Sequence, residues 1–433
     1  MKRWLAFFTA GCLCLGLCAC GSGKSEPATE ETRGGVTLNV VTSYGGDDGN
    51  RGNFEAAVKS YEEITGNRVA DGSAASNEEW KTKVLTDFMT GSEPDVLFYF
   101  TDADAAPFIN AGKVVSIEEI REVYPDYATN MKESMMVRAG NGLHYAVPSY
   151  GFWENLFVNQ KVLDACGVAV PGTDYTWEQF LQDCKTVKAK GYTPIACSLY
   201  EIPHYWFEFA VLNNGNKDNH LEIPTLDAEG KLAEDAVSDK WIAALEDIRS
   251  LYDAGYFPVN TLTATDAQTS TLFGDGYAAF LVDGSWKVGY FTKNYPNKLE
   301  EFAVCHVPGK GERPATDAIG GISMGYFITR KAWNDPDKQQ AAVEFVFHMT
   351  SEEVLSTFVT TEVTALVNGT VPVGLNTLQE SASNANVKIT SVVGAVQDTI
   401  SGDAKNELFA SIQKVVTGQM TAAEAVEAAI RLN

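Results

Sequence analysis

The sequence predicts an α/β protein folded into two compact units, and three observations carry that expectation. Its early body alternates strand-like and helix-like segments in the order β-α-β-α-β. About 400 residues follow the leader, and 45% of the whole chain is hydrophobic, which is more than a single core normally organises. The run DVLFYF at 95–100 is apolar without interruption and bounded by Pro94 and polar residues, as expected of a strand covered on both faces.

VTLNVVTS at 36–43 reads as the first strand. Phe54, Val58, Tyr61 and Ile64 then recur at helical spacing and stop at Gly66. After a short second strand, Ser76 and Glu79 stand in capping-box spacing, Trp80, Val84, Leu85 and Phe88 share one side, and Gly91 ends the second helix. DVLFYF is the third strand. Parallel sheets of this kind gather ligands at the carboxyl ends of their strands, here the loops after Ser43 and after Phe100.

TLFGDGYAAFLVDGSW at 271–286 carries Gly274, Gly276 and Ala279 in the G-x-G-x-x-A pattern of dinucleotide sites. That pattern works only with a strand before the glycines and a helix after them, so that free N–H groups and the helix dipole meet a pyrophosphate. Here TDAQTSTLF before them reads as helix and YAAFLVD after them as strand, so the glycines end a helix and launch a strand. Gly321, Ser323 and Gly325 match the G-x-S-x-G elbow, but β-rich YFIT follows where a helix is needed. The only later histidine, His348, lies within helical AAVEFVFHM. The five histidines are scattered singly, and neither H-E-x-x-H nor G-x-x-x-x-G-K-[ST] occurs, so no catalytic residue, metal or other cofactor is expected. Paired carboxylates for glycoside hydrolysis stay open, because 57 acidic side chains do not reveal which two face each other.

The N-terminus sets the compartment. Lys2 and Arg3, an apolar run at 4–19 and small residues around Cys20 form a secretory signal. A membrane span is the rival, but the run falls short of the usual length of about 18 residues or more. Leu17, Cys18, Ala19 and Cys20 resemble the bacterial lipobox, which implies cleavage before Cys20 and a lipid on it. GSGKSEPATEETRGG at 21–35 reads as a disordered tether, spanning roughly 20 Å as a flexible coil. Loss of the signal takes the formal charge from −24 to about −26, which repels nucleic acid and anionic lipid; solubility explains its size. Cys166, Cys184, Cys197 and Cys305 make no C-x-x-C pair. A disulfide among them is possible, though spacing names none, and Cys184 falls on the apolar face of a helix.

Several segments in order resemble the family 1 extracellular solute-binding proteins of ABC importers, the sugar-binding lipoproteins of bacteria. They are the lipobox at Cys20, TSYGGDDGNRGNFEAAVKSYEEITGNRV, PDVLFYFTDADAAPFINAGKVVSI, GLHYAVPSYGFWENLFVNQKVL with TWEQF, LFGDGYAAFLVDGSW, and GGISMGYFITRKAWNDPDKQQAAVEFVFHMTS. The resemblance covers essentially the whole mature chain. It implies two α/β lobes joined by hinge strands, the type II periplasmic-binding-protein fold, closing on a ligand between them. Residues 36–146 and 267–325 are expected in the first lobe, and 147–266 and 326–433 in the second. The expected partners are a carbohydrate, the permease subunits of an importer, and the membrane through the lipid. The receptor itself is expected to be a monomer on the outer face of the cell membrane.

The resemblance also implies which loops line the cleft. In the first lobe they carry Tyr44, Asp47 and Asp48, then Asp102 and Asp104; the segment after Pro148 presents Tyr150, Phe152 and Trp153. In the second lobe SLYEIPHYWFEF presents Glu201, His204, Tyr205 or Trp206, the turn DGSW brings Trp286, and Gly320 with Gly321 let backbone approach the ligand closely. Aromatic rings cover the C–H face of a sugar, and carboxylates accept from its hydroxyls. Each aromatic has core packing as its alternative, and each acid has solvated surface. A secreted carbohydrate-active enzyme, or a binding protein of the same fold for a non-sugar solute, are the competing functions.

Overall fold

The computed structural model describes residues 35–359, 361, 364–369 and 374–433; the signal, Cys20 and nearly all of the tether lie outside them. Eleven strands in this range form two sheets.

The first sheet has the order β2-β1-β3-β10-β4. It comprises β1 (Thr37–Val41), β2 (Arg68–Asp71), β3 (Val96–Phe100), β4 (Val147–Pro148) and β10 (Met324–Ile328). β1 runs parallel to β2 and β3, while β10 is antiparallel to β3 and β4. The two crossover helices form where predicted, but the buried face of the first is shifted: Val58 is half-buried and Ile64, at its end, is 72% exposed. Arg51–Thr65 buries Phe54, Ala57 and Tyr61 and ends at Gly66 in the left-handed conformation, φ +76°, which a side chain would resist. Glu78–Thr90 buries Trp80, Val84 and Phe88 and ends at Gly91. Its cap is Asn77, whose side chain accepts from the Trp80 N–H, one residue later than the Ser76 capping box. Asn and Ser cap comparably well, so the chain takes whichever the preceding strand delivers in register.

The second sheet has the order β11-β9-β5-β7-β6, with β8 also paired to β5. Its strands are β5 (Phe152–Asn159), β6 (Thr193–Ile195), β7 (Ala278–Gly284), β8 (Phe302–Cys305), β9 (Asp317–Gly321) and β11 (Ser391–Val393). The segment 271–286 behaves as read. Thr265 caps the helix Asp266–Gly274 in a capping box with Gln268, Gly276 takes φ +83°, and β7 follows. Gly321, Ser323 and Gly325 lie on a strand, a two-residue link and a second strand, which is not the geometry of a nucleophile elbow.

The grouping of segments differs from the expected ranges. β7, β8 and β9, within 267–325, pair in the second sheet, whereas β10 and the helix Pro336–Met349, within 326–433 save for two strand residues, join the first sheet and its core. The helices Thr377–Asn386, Gly402–Val416 and Ala422–Ile430 then pack in the second lobe. The chain therefore passes between lobes at 149–151, at 322–323 and again between the helices Glu352–Phe358 and Thr377–Asn386. Loose family resemblance locates segments but not crossings; these are decided by which strand edge each one finds.

β3 and β10 are nearly sealed between helices, and a charge pins their buried end. Asp95 accepts from the Asn39 backbone N–H at 2.7 Å and from Lys338 Nζ at 2.7 and 2.9 Å. It thereby ties β1, the entry to β3 and the helix Pro336–Met349. Cys166, Cys184, Cys197 and Cys305 are all buried free thiols, so the disulfide considered among them is not formed. Asp95→Ala strands the Lys338 ammonium and frees two donors, and should lower stability by about 3 kcal/mol in urea unfolding. Cys184→Ser, on a helix face that is 0% exposed, should cost about 1–3 kcal/mol in the same measurement, whereas a surface thiol would tolerate it.

Candidate functional site

The carboxyl ends of β1 and β3 form one edge of the first sheet, and those of β6, β7 and β9 form one edge of the second. Because 149–151 and 322–323 run from edge to edge, these two edges face each other. The candidate site is built where they meet.

On the first lobe, the Thr42 hydroxyl accepts the Tyr44 N–H at 3.1 Å and turns the chain inward after β1. Tyr44 is buried, stacks on Phe98 with ring centroids 5.0 Å apart, and shares a hydrogen bond of 3.2 Å with the Tyr150 hydroxyl. Asp47 is exposed. Asp48 is half-buried and accepts the Asn50 N–H at 2.7 Å. Loss of solvent pushes its carboxyl up to about 6, against the pull of Lys293 and Lys287 from the other lobe. Gly49 explains how close the lobes come: a Cβ there would lie 2.8 Å from the Gly289 carbonyl carbon. The lobes touch backbone to backbone, which only glycine permits here.

A second point of contact is ionic. Asp102 accepts the Asp104 N–H at 2.8 Å and opens a short turn after β3. Asp104 then meets Lys81 at 3.1 Å within its own lobe and Lys405 at 3.2 Å from the helix Gly402–Val416 of the other. Lys405 also meets Asp398 at 3.4 Å, and Lys81 sits 4.3 Å over the Phe100 ring. Burial disfavours both aspartates as anions, yet Lys81 and Lys405 hold Asp104 below the usual carboxylate range. Loss of solvent, with Asp398 and Asp104 close by, drives half-buried Asp102 well above it.

On the second lobe, Trp286 begins the helix Trp286–Asn294 and is 37% exposed. Its ring lies over Gly284, where a Cβ would fall 2.1 Å from the indole, so β7 must end in glycine for the ring to lie flat. Phe152 and Tyr205 flank it, with centroids at 6.4 and 6.0 Å. Beneath this wall Lys287 binds Asp266 at 2.7 Å, Ser270 at 2.7 Å and Asp283 at 3.4 Å. Burial lifts the Asp283 carboxyl to about 7 in spite of Lys287. His204 stacks on Phe409 at 5.3 Å; burial, with Lys81 and Lys405 nearby, lowers its imidazole to about 3 and keeps it neutral.

Other expected residues stand elsewhere. Trp206 stacks on Phe180 in the second core, 3% exposed. Trp153 stacks on Phe157 and donates from Nε1 to the Thr361 carbonyl at 3.2 Å. Neither indole has a face left for a ligand, because each alternates or turns to the packed side of its element. Glu201 accepts the Asp266 N–H at 2.6 Å at the start of a helix. Gly320 is buried against β5, where a Cβ would lie 2.7 Å from the Phe152 carbonyl oxygen; Gly321 is exposed. The close approach at Gly320 is thus between strands.

Lys81, Glu154, Glu208, Asp283, Lys287, Asp398 and Lys405 were missed. Three of them carry a legible signal: Glu154 and Glu208 interrupt the apolar runs FWENLFVN and HYWFEFAVL, and Asp283 interrupts AAFLVDG. A lone acid in a run that is otherwise core is there at a cost, which marks it for function.

The description "Bacterial extracellular solute-binding protein" matches residues 56–388. Among solved structures, a chitin oligosaccharide binding protein is 21% identical, with 92% of this chain and 98% of that chain covered and a TM-score of 0.78. The GacH receptor of Streptomyces glaucescens, solved unliganded and with acarbose, is 18% identical over 92% and 97% of the chains, TM-score 0.69. The maltose/maltodextrin-binding domain MalE from Bdellovibrio bacteriovorus, bound to maltotriose, is 17% identical over 92% and 98%, TM-score 0.68. No curated protein matches. These likenesses establish the two-lobed fold, and the match over most of the chain establishes the family: the protein belongs to the bacterial extracellular solute-binding proteins.

Proposed function

We propose that this protein captures a sugar or short oligosaccharide between its lobes and delivers it to the permease of an ABC importer, without making or breaking a bond. The observation that carries the reading is the aromatic wall of Trp286, Phe152 and Tyr205 set above buried carboxyls at the facing edges of the two sheets. An aromatic face suits the C–H face of a pyranose, and carboxylates suit its hydroxyl rim. The sugar ligands named for the chitin oligosaccharide, acarbose and maltotriose proteins agree with it. A ligand that touches both lobes stabilises the closed arrangement by its differential affinity for it, a population shift. Tyr44, Asp48, Tyr150 and the Asp102–Asp104 turn supply the first-lobe side, and His204 lies beside the ionic contact. The exported chain is held to the cell membrane by a lipid on Cys20 and works as a monomer.

A thermal-shift screen of the mature chain against mono- and oligosaccharides should find one that raises Tm; glycan fragments in a chromatogram after hours of incubation would instead establish an enzyme. Trp286→Ala should remove the ligand's effect on Tm and on tryptophan fluorescence while the unliganded Tm stays within a few degrees; unaltered affinity would take Trp286 out of the site. Asp48 gives a pH dependence. Its pKa of about 6 lies above the ordinary 3.8, so the folded chain favours the protonated form; that stabilisation is complete below about pH 4 and is lost as pH rises through 6. Asp48→Asn should therefore stabilise the folded chain by about 1–2 kcal/mol at pH 7 and by nothing near pH 4, compared by thermal melts at the two pH values.

A further inference from the structure

The buried lysines described at the cleft are matched to carboxylates: Lys81 and Lys405 to Asp104, Lys405 to Asp398, and Lys287 to Asp266 and Asp283. Glu154 and Glu208 have no such partner. Glu154 is the third residue of β5 and 2% exposed; Glu208, in the helix His204–Asn214, is 0% exposed. Among the described residues no lysine, arginine or histidine pairs with either. Glu154 Oε2 and both carboxyl oxygens of Glu208 are sealed from solvent without a well-formed hydrogen bond. The two carboxyls are close neighbours, and Asp283, Asp398 and Tyr205 face them from the adjoining elements. Only the Gln397 amide favours the Glu208 anion. Burial, then Asp283 and Asp398 at Glu154 and Glu154 and Asp398 at Glu208, drives both carboxyls well above their ordinary range, which favours a proton held between them.

Such a pair does nothing for packing that two apolar side chains would not do better. Its position argues for a ligand. β5 begins, and the helix of Glu208 starts, at the same edge of the second sheet where β7 ends and Trp286 stands. Tyr205 links the two features: its ring lies 6.0 Å from Trp286, and its hydroxyl lies in the field of Glu154 and Glu208. An aromatic wall continuous with two carboxyl groups that lack a cation is complementary to a ring that carries one.

Building on the sugar-receptor reading, we propose that the captured sugar bears a protonated amine, its ring face against Trp286 and Tyr205 and its ammonium received by Glu154 and Glu208. The ammonium takes the place of the shared proton, which leaves to solvent. Binding therefore releases about one proton and weakens as pH falls and the pair becomes fully protonated.

The test is isothermal titration of the mature chain with glucosamine oligomers, their N-acetylated counterparts and the matching neutral glucose oligomers, in two buffers of different ionisation heat. The amine form should bind about tenfold or more tightly than either counterpart and release about one proton per site. In Glu208→Gln, close to isosteric, the ratio of amine-sugar to neutral-sugar affinity should fall to about one and the proton release should vanish; Glu154→Gln should do the same if Glu208→Gln does not fold. Equal or tighter binding of the acetylated or neutral form overturns this inference and leaves the receptor reading in place. Failure of every sugar, with or without binding of spermidine, overturns both.

Discussion

Two short links constrain everything else in this molecule. Three residues, 149–151, join β4 to β5, and two, Ile322 and Ser323, join β9 to β10. Each runs from the carboxyl edge of one sheet to the carboxyl edge of the other. Links that short forbid the edges from facing apart, and the few residues in each are where any rotation between lobes must be absorbed. The fold thus presents two loop-rich edges to one another at a pivot, and chemistry collects there because loops at strand ends are free of packing duties. Gly49 against Gly289 and Asp104 against Lys405 are where the edges meet.

The electrostatics of the cleft follow from the same geometry. Bringing the edges together takes Asp48, Asp102, Asp104 and Lys405 out of water. Where a cation arrives with the anion, as at Asp104, the carboxyl is held below its ordinary range; where none does, as at Glu208, burial drives it well above. Buried ion pairs contribute little net stability but make the closed geometry specific, since a partner displaced is left with the whole cost of its burial. The receptor is accordingly expected to close in one register.

Much of this was legible in the chain and some of it was not, for physical reasons. Period and punctuation placed the helices ending at Gly66 and Gly91 and the helix-to-strand turn at Gly276, because a left-handed residue after an apolar stripe has few other uses. The place of Trp286 just past the end of β7 was legible for a related reason: a tryptophan two residues after a buried strand's closing Gly284 lies back over the strand end. Trp153 and Trp206 were not distinguishable from it, because which side of β5 or of the helix His204–Asn214 faces a core is a tertiary matter. The grouping of β8, β9 and β10 escaped for the same reason, as did the pairing of Asp104 with Lys405, 301 residues apart. Glu154 and Glu208 could have been found from their apolar surroundings alone.

A sugar that binds between the lobes should close them. Spin labels on Met89→Cys in the first lobe and Val259→Cys in the second, both at exposed positions, would report the distance between lobes directly. Saturating sugar should narrow the distance distribution and move it to one value. A sugar that binds, by its effect on Tm, while the distribution stays as broad and as centred as before would contradict that closure.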